Sequence, residues 1–109
     1  MNAESHFWIV KEFLPAMIAK NRGHIVSIAS LAGLGGQCQM TDYCASKHAA
    51  VGFMDALRME LKNDNKNIKC LTVCPFYINT GMFDGVTTGA FLSILSQDYV
   101  VNRIISGIR

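Results

Sequence analysis

A tyrosine and a lysine four residues apart, Tyr43 and Lys47, are the first residues of this sequence that could do chemistry. On a helix such a pair shares one face, and a cation held beside a phenol favours the ionised form of that phenol. Lys47 is therefore predicted to let Tyr43 donate and accept a proton. The same spacing also occurs by chance on exposed helices, where the pair has no catalytic role.

Ser30, thirteen residues before Tyr43, supplies a third polar group. It follows a short β-branched run, and open α/β sheets bind their ligands beyond the carboxyl ends of their strands. Its hydroxyl is thus predicted to reach a substrate oxygen beside the phenol. A serine that orients an oxygen, a tyrosine that moves a proton and a lysine that tunes the tyrosine suit the interconversion of alcohols and ketones. Because no side chain can carry a hydride, the reaction also requires a nicotinamide cofactor.

The first helix and strand that must position these residues follow from the hydrophobic periodicity. Helical spacing from about Glu4 to Asn21 predicts a helix with one buried stripe of Phe7, Val10, Leu14, Met17 and Ile18. Pro15 interrupts this pattern and should kink the helix. Gly23 is predicted to cap the helix in the left-handed conformation, and the run HIVSIAS that follows is predicted to be a strand.

The second half of the sequence repeats this alternation. Helical spacing returns from about Thr41 to Asn63, with a predicted inner face of Ala49, Phe53, Leu57 and Leu61. A second strand, NIKCLTVCP, ends at Pro75, and QDYVVNRIISGI predicts a last helix with a stripe of Val100, Val101, Ile104, Ile105 and Ile108. Strands separated by long helices predict a parallel sheet with helices on its faces. Two such strands need neighbours on both edges, so the chain is predicted to be part of a larger α/β domain.

Composition excludes several classes of function. A net charge of +2 over 109 residues, without a cluster of Lys and Arg, does not indicate a basic surface that would bind nucleic acid. The sequence contains neither a signal peptide nor a membrane span, and the chain as given is predicted to be cytoplasmic. The four cysteines have no CxxC spacing and no matching His pair, so they are predicted to be reduced thiols, and no metal site is expected.

Several motifs together resemble the short-chain dehydrogenases/reductases. The Y-x-x-x-K of YCASK and the serine of IVSIASLAG match that family's catalytic residues, which implies catalytic roles for Ser30, Tyr43 and Lys47. Asn2, at the start of the helix that ends FLPAM, matches the family's fourth catalytic residue, an asparagine that anchors a proton-relay water. The resemblance implies an α/β fold, the C-terminal part of a doubly wound, Rossmann-like parallel sheet flanked by helices.

The resemblance also implies NAD or NADP as the cofactor. The family's cofactor-contacting positions fall here on Tyr43, Lys47, Pro75, Ile78 and Thr80. Thr80 would touch the nicotinamide and its phosphates, and Ile78 would offer its backbone to the carboxamide. Phe76 stands where the family usually has a glycine.

Within this family, the phrases GHIVSIAS, YCASKHAAVGF and NTGMF are most similar to the epidermal retinol dehydrogenases and the hydroxysteroid dehydrogenases of lipid droplets and endoplasmic reticulum. That similarity implies a small lipid substrate, a retinol-like or steroid-like alcohol or ketone, covered by the segment GMFDGVTTGAFLSIL. Core packing explains the apolar content of this segment about as well. Members of this branch use an N-terminal membrane anchor, and no such anchor is expected in residues 1–109.

The family's dinucleotide-binding half begins with a strand and a Gly-rich turn, and no segment here matches that turn. The candidate GLGGQC fails because Cys38 occupies its third glycine position, and Gly33, Gly35 and Gly36 are instead predicted to form a mobile loop. We therefore expect residues 1–109 to be a partial domain, the catalytic half, with the N-terminal dinucleotide-binding half absent. Unpaired strand edges lead us to expect poor stability for this chain by itself.

Other functions remain open at this point. A serine hydrolase would need a G-x-S-x-G elbow, which Ser30 lacks, and His24 and His48 are interpreted as a strand-edge and a helix-surface histidine. The main alternative is an inactive remnant that cannot bind cofactor and acts by pairing. The family's two long helices pack in a homodimer, and the small residues that would permit close approach here are Ala49, Ala50 and Gly52.

Overall fold

The computed structural model of the chain describes residues 2–77 and 95–109. Its elements, in order, are α1 (Glu4–Lys20), β1 (Gly23–Ile28), a 3₁₀ turn (Leu31–Gly33), α2 (Thr41–Asn63), β2 (Ile68–Val73) and α3 (Gln97–Ile108). The predicted order of helices and strands is therefore confirmed. The chain divides into two compact units, Met1–Cys74 and Pro75–Arg109.

The two strands of the first unit form a parallel pair. Their register runs from Gly23 opposite Ile68 to Ile28 opposite Val73, and the N–H of Ala29 continues the ladder to the Val73 carbonyl at 2.7 Å. α2 connects the strands, as a parallel pair requires. The fold class is α/β, and the residues that follow β1 and β2 come together at one edge of the sheet.

A small hydrophobic core lies between α1, α2 and the strands. Its buried centre is Leu57, Leu61 and Ile68, and the side chains packed against that centre are Val10, Leu14, Met17, Ile25, Phe53 and Cys70. The predicted stripe of α1 is thus right for three of its five members. Phe7 and Ile18 are 45% and 36% exposed, and no residue of Glu4–Lys20 is fully buried.

The inner face of α2 is rotated from the predicted one. The buried residues of this helix are Cys44, Ala50, Met54, Leu57 and Leu61, whereas Ala49 is exposed. The predicted face assumed a uniform spacing of four residues between its members. Four residues turn the helix by roughly 400°, so each step exceeds a full turn by roughly 40°. Over three steps the error carries Ala49 off the core face, and Ala50 takes its place.

The end of α1 corrects the prediction for Gly23. The left-handed residue is Asn21, with φ 48° and ψ 40°, because asparagine tolerates this conformation better than most side chains. Its Oδ1 also accepts the Asn67 N–H at 3.0 Å, which ties the end of α1 to the start of β2. Gly23 is needed for space instead, since a Cβ there would lie 2.6 Å from the Met17 sulfur.

The glycine-containing segment after Ser30 is not a loop throughout, contrary to the prediction from the sequence. Leu31–Gly33 forms a 3₁₀ turn in which Ala32 and Gly33 are buried. Gly35 and Gly36 are exposed, and a Cβ on either would meet nothing within 4 Å. The prediction was wrong for Gly33 because it treated the glycines as a source of flexibility, whereas Gly33 permits close packing.

The second unit contains α3. Ser96 caps this helix by accepting the N–H of Tyr99 at 3.3 Å, and Leu95 donates its N–H to the Tyr77 carbonyl at 2.7 Å. Two of the five residues in the predicted stripe are removed from solvent: Val100 is buried and Ile104 is half-buried. The remaining members, Val101, Ile105 and Ile108, are exposed.

Candidate active site

Tyr43 and Lys47 lie one turn apart at the start of α2. The Lys47 Nζ is 5.5 Å from the centroid of the Tyr43 ring and lies over its face, a geometry in which the ring attracts the cation. Both side chains are half-buried. The structure therefore brings together the phenol of Tyr43 and the ammonium of Lys47, as their spacing in the sequence predicted.

Asp42 stabilises the helix turn that carries this pair. α2 begins after Met40, which contributes no side-chain cap. The Asp42 Oδ1 accepts the N–H of Tyr43 at 2.8 Å. A carboxylate is favoured at a helix N-terminus, where the unsatisfied N–H groups create a positive potential. The bond from Asp42 thus satisfies one of the N–H groups that the start of α2 leaves without a helical partner.

Ser30 lies immediately beyond the carboxyl end of β1, in extended conformation. Its Oγ accepts the N–H of Ala32 at 3.2 Å and so begins the 3₁₀ turn. The hydroxyl proton of Ser30 stays available to another acceptor, because the contact with Ala32 uses only a lone pair. Position and hydrogen bonding both suit a hydroxyl that orients an oxygen.

Gly33 brings the loop that carries Ser30 against α2. A Cβ on Gly33 would lie 2.6 Å from the carbonyl oxygen of Lys47 and 2.8 Å from the Cγ2 of Val51. Such distances are shorter than any real Cβ contact, so only glycine permits this approach. The turn after Ser30 thus packs on α2 at Lys47 and Val51, where the helical turn from Tyr43 to Lys47 ends.

Asn2 reaches this helical turn from the turn that precedes α1. Its Nδ2 donates to the Ser46 Oγ over 3.4 Å, and the Ser46 hydroxyl donates to the Tyr43 carbonyl at 2.8 Å. Ser46 therefore links Asn2 to the backbone of Tyr43. The sequence analysis missed Ser46, and its position beside Lys47 on a predicted helix is the signal that could have identified it.

Cys74 is a second residue that the sequence analysis did not assign to the site. It directly follows the last residue of β2, and the Ser30 backbone N–H contacts its thiol. Burial raises the pKa of Cys74. The Ser30 N–H partly offsets this rise, and the negative charge of Asp55 increases it. A thiol that keeps its proton at neutral pH contributes a small apolar wall beside Ser30.

The remaining predicted site residues belong to the second unit or lie outside the described residues. Pro75 follows β2 by two residues and is half-buried. Ile78 and Thr80, and residues 81–94 of the predicted substrate-covering segment, lie outside the described residues.

The two histidines considered in the sequence occupy ordinary positions. His24 is half-buried on β1, and His48 lies on the exposed side of α2 with its Nδ1 2.8 Å from the Cys44 carbonyl. Among residues 2–77 and 95–109, no cluster of His, Cys, Asp and Glu could hold a metal ion. In the same ranges the cysteines are free thiols, and no helix is long and apolar enough to span a bilayer.

Comparison with known proteins finds one family. A model of the short chain dehydrogenase family matches residues 1–90. Epidermal retinol dehydrogenase 2 of Homo sapiens is 49% identical over 111 residues, covering 99% of this chain and 36% of the human protein. Retinol dehydrogenase 10 of Xenopus tropicalis is 44% identical over 113 residues, covering 99% of this chain and 33% of the frog protein. The chain thus spans about a third of the length of the curated relatives it matches.

Solved structures give the same fold at lower identity. A short chain dehydrogenase from Burkholderia cenocepacia J2315, in complex with NADP, superposes with a TM-score of 0.84 at 22% identity, over 98% of this chain and 42% of that one. The bulky-bulky ketone specific alcohol dehydrogenase from Comamonas testosteroni superposes with a TM-score of 0.80 at 20% identity, over 98% of this chain and 39% of that one. These similarities establish the Rossmann-like sheet for the present chain.

Proposed function

Because this chain belongs to the short-chain dehydrogenase/reductase family, we propose that it carries the proton-transfer site of an NAD(P)-dependent oxidoreductase acting on the CH–OH group of a lipid alcohol or the matching ketone. The observation that carries the proposal is the shared helical turn. Tyr43 and Lys47 lie on it, the turn after Ser30 packs at its Lys47 end, and Asn2 reaches it through Ser46.

The chain's own residues have distinct roles in this proposal. Ser30 donates its hydroxyl proton to the substrate oxygen and orients it. Tyr43 gives or takes the proton of that oxygen, and the ammonium of Lys47 lies over the Tyr43 ring, 5.5 Å from its centroid. Asn2 holds the path by which protons reach Tyr43 from solvent. Such positioned acid–base groups commonly contribute factors of about 10² to 10⁴ to a rate.

A bound nicotinamide cofactor would supply or accept the hydride. The side chains present fit such a group, because the Lys47 ammonium offers three donors and forms no ion pair within the described part of the chain. Those donors are free to bind the hydroxyls of a ribose, with Tyr43 beside them. Pro75, Ile78 and Thr80 are the further cofactor positions that the family resemblance implies.

A retinoid or a hydroxysteroid is the substrate class that we propose. The relatives that are 42–50% identical over nearly the whole chain include proteins named as retinol dehydrogenases. The Cys74 thiol, which the Ser30 backbone N–H contacts, places an uncharged side chain beside Ser30. An apolar wall suits a lipid better than a sugar or an acid.

We also propose a homodimer that pairs α1 and α2 with their copies. Trp8 and Phe13 on α1 are 65% and 59% exposed, and the rings of Phe7 and Phe53 lie 4.7 Å apart across the two helices. Gly52 faces open space on α2. Gly52→Arg should convert a dimer into a monomer in sedimentation, without harming a helix that favours arginine over glycine. Gly36→Arg, at an open loop position, should leave the dimer intact, and a monomeric wild-type chain would contradict the proposal.

The first experiment is a fluorescence titration of the 109-residue chain with NADH and NADPH, followed by turnover assays with retinoids and hydroxysteroids. Tyr43→Phe should abolish turnover and leave cofactor binding largely intact, because only the proton-carrying oxygen is lost. Tyr99→Phe, at an exposed tyrosine of α3, is the matched control and should change neither. Retained turnover in Tyr43→Phe would refute the assignment of Tyr43.

The same titration also tests the alternative function. A folded chain that shows no saturable cofactor binding would have Ser30, Tyr43 and Lys47 without a hydride source. That result would favour a catalytically inactive chain that acts by pairing.

A further inference from the structure

A buried hydrogen bond joins α1 to β1. The Nε2 of His6 lies 2.6 Å from the Oγ of Ser27. Ser27 is 4% exposed, and it is the one buried polar residue within the described ranges. A hydroxyl removed from water needs a hydrogen-bond partner. For Ser27, that partner is the imidazole of His6.

Few other contacts hold the first turn of α1. Its N-cap, Ala3, makes no side-chain hydrogen bond, and Trp8 in the next turn is largely exposed. A cavity of about 170 Å³ lies beside His6 and Ser27 and is also lined by Met54. The Nδ1 of His6 is buried and has no hydrogen-bond partner within the described residues. Packing is incomplete here, so the bond to Ser27 and the contact of the Phe7 ring with Phe53 are the side-chain restraints on this turn.

The position of this bond connects it to the candidate site. Asn2 lies in the turn that leads into α1, four residues before His6, and Ser27 lies three residues before Ser30 on the same strand segment. Asn2 has a weak contact of its own, since its 3.4 Å to Ser46 exceeds the usual N–H···O range. The His6–Ser27 bond therefore fixes the start of α1 to the strand that leads to Ser30.

We propose that His6 is a positioning residue, which holds Asn2 in register with Ser30 and Tyr43 through its hydrogen bond to Ser27. The catalytic meaning of this role rests on the proposed function. The positioning itself is measurable without turnover, so the two proposals fail separately.

The test is NMR on the isotope-labelled 109-residue chain and four variants. Ser27→Ala and His6→Phe each remove the bond, from opposite sides. Both should speed amide exchange in the second turn of α1 about tenfold, the order expected for one lost hydrogen bond. Both should also erase the cross-peak between the Asn2 side-chain amide and Ser46.

Two control variants separate positioning from general destabilisation. Ser27→Thr keeps the hydroxyl and should restore the Asn2 cross-peak. Ser5→Ala changes an exposed serine of the same turn and should behave as the wild type. Amide exchange around Leu57, in the core, should be unchanged in every variant.

The proposal is overturned if Ser27→Ala keeps the Asn2 cross-peak and the wild-type exchange rates. The wild-type chain gives a second readout that requires no substitution. Cross-peaks between the His6 ring and the Ser27 side chain are expected there, and their absence also overturns the proposal. In a chain that turns over substrate, loss of the bond should lower kcat and leave KM for the cofactor unchanged.

Discussion

The α-carbon of Gly33 lies so close to α2 that a methyl group on it would stand 2.6 Å from the carbonyl oxygen of Lys47. This approach joins the loop after Ser30 to the helical turn that carries the Tyr43–Lys47 pair. A loop glycine, rather than a polar residue, thus determines how closely the halves of the candidate site meet.

Gly33→Ala should therefore lower the free energy of unfolding by about 1–3 kcal/mol, the usual cost of forcing extra volume into a packed region. The clash is with backbone, which cannot swing aside as a side chain can. Urea denaturation measures the change. Gly35→Ala is the matched control, because a Cβ there meets nothing within 4 Å, and it should be neutral or slightly stabilising. Equal effects of the two substitutions would contradict the close approach.

Met54 is the largest fully buried side chain among the described residues, with 1% of its surface exposed. Met54→Ala should cost roughly 2–5 kcal/mol, because truncation leaves a cavity as well as losing apolar burial. Met59→Ala on the same helix removes an equal side chain that is 56% exposed, and its effect should stay within about 0.5 kcal/mol. Thermal and urea unfolding distinguish the two. A small loss in Met54→Ala would mean that α2 does not pack as described.

Asn21 contributes to stability through its backbone conformation and through its side chain. Asn21→Gly keeps the left-handed conformation but loses the bond to the Asn67 N–H, so it should cost about 0.5–1.5 kcal/mol. Asn21→Ala loses the bond and also strains the backbone, which adds roughly 1 kcal/mol. Urea denaturation should rank the wild type above Asn21→Gly and Asn21→Ala last. Asn102→Ala, at an exposed position of α3, should have no effect, and the opposite order of the two Asn21 variants would disprove the cap.

The thiols of Cys70 and Cys74 make stability fall at alkaline pH. Burial raises the pKa of both above the ordinary value of 9.0, although Arg58 partly offsets the rise at Cys70. The folded chain then holds these protons more tightly than the unfolded chain does, so their contribution is complete below pH 9 and is lost as the pH rises beyond it. Urea unfolding between pH 7 and 10.5 should show this decline.

The matched control is the double variant Cys70→Ala with Cys74→Ala. It should retain the part of the decline that comes from other groups and lose the part that belongs to these thiols. An identical pH profile in the variant and the wild type would show that neither thiol contributes. Cys38→Ala, at an exposed thiol, should leave the profile unchanged.

The order of the elements and the pairing of Tyr43 with Lys47 could be predicted because both depend on local periodicity. The span Thr41–Asn63 was predicted with the bounds that the structure has, since helix starts and stops are written in neighbouring residues. The buried face of α2 was not predicted correctly, because a small error in the assumed helical period accumulates over several turns. The cap at Asn21 was missed because asparagine and glycine both tolerate the left-handed conformation, so the sequence alone does not show which of the two adopts it.

The sequence by itself determined the family of this chain, since the spacing of Ser30, Tyr43 and Lys47 and the motifs around them match that family. Only the tertiary structure decided how those residues are held. The contacts of Gly33 with Lys47, of His6 with Ser27 and of Asn2 with Ser46 join residues that are 14, 21 and 44 positions apart. The physical reason is that such contacts arise when separate elements pack against each other, and no local pattern of residues encodes the distance between two elements.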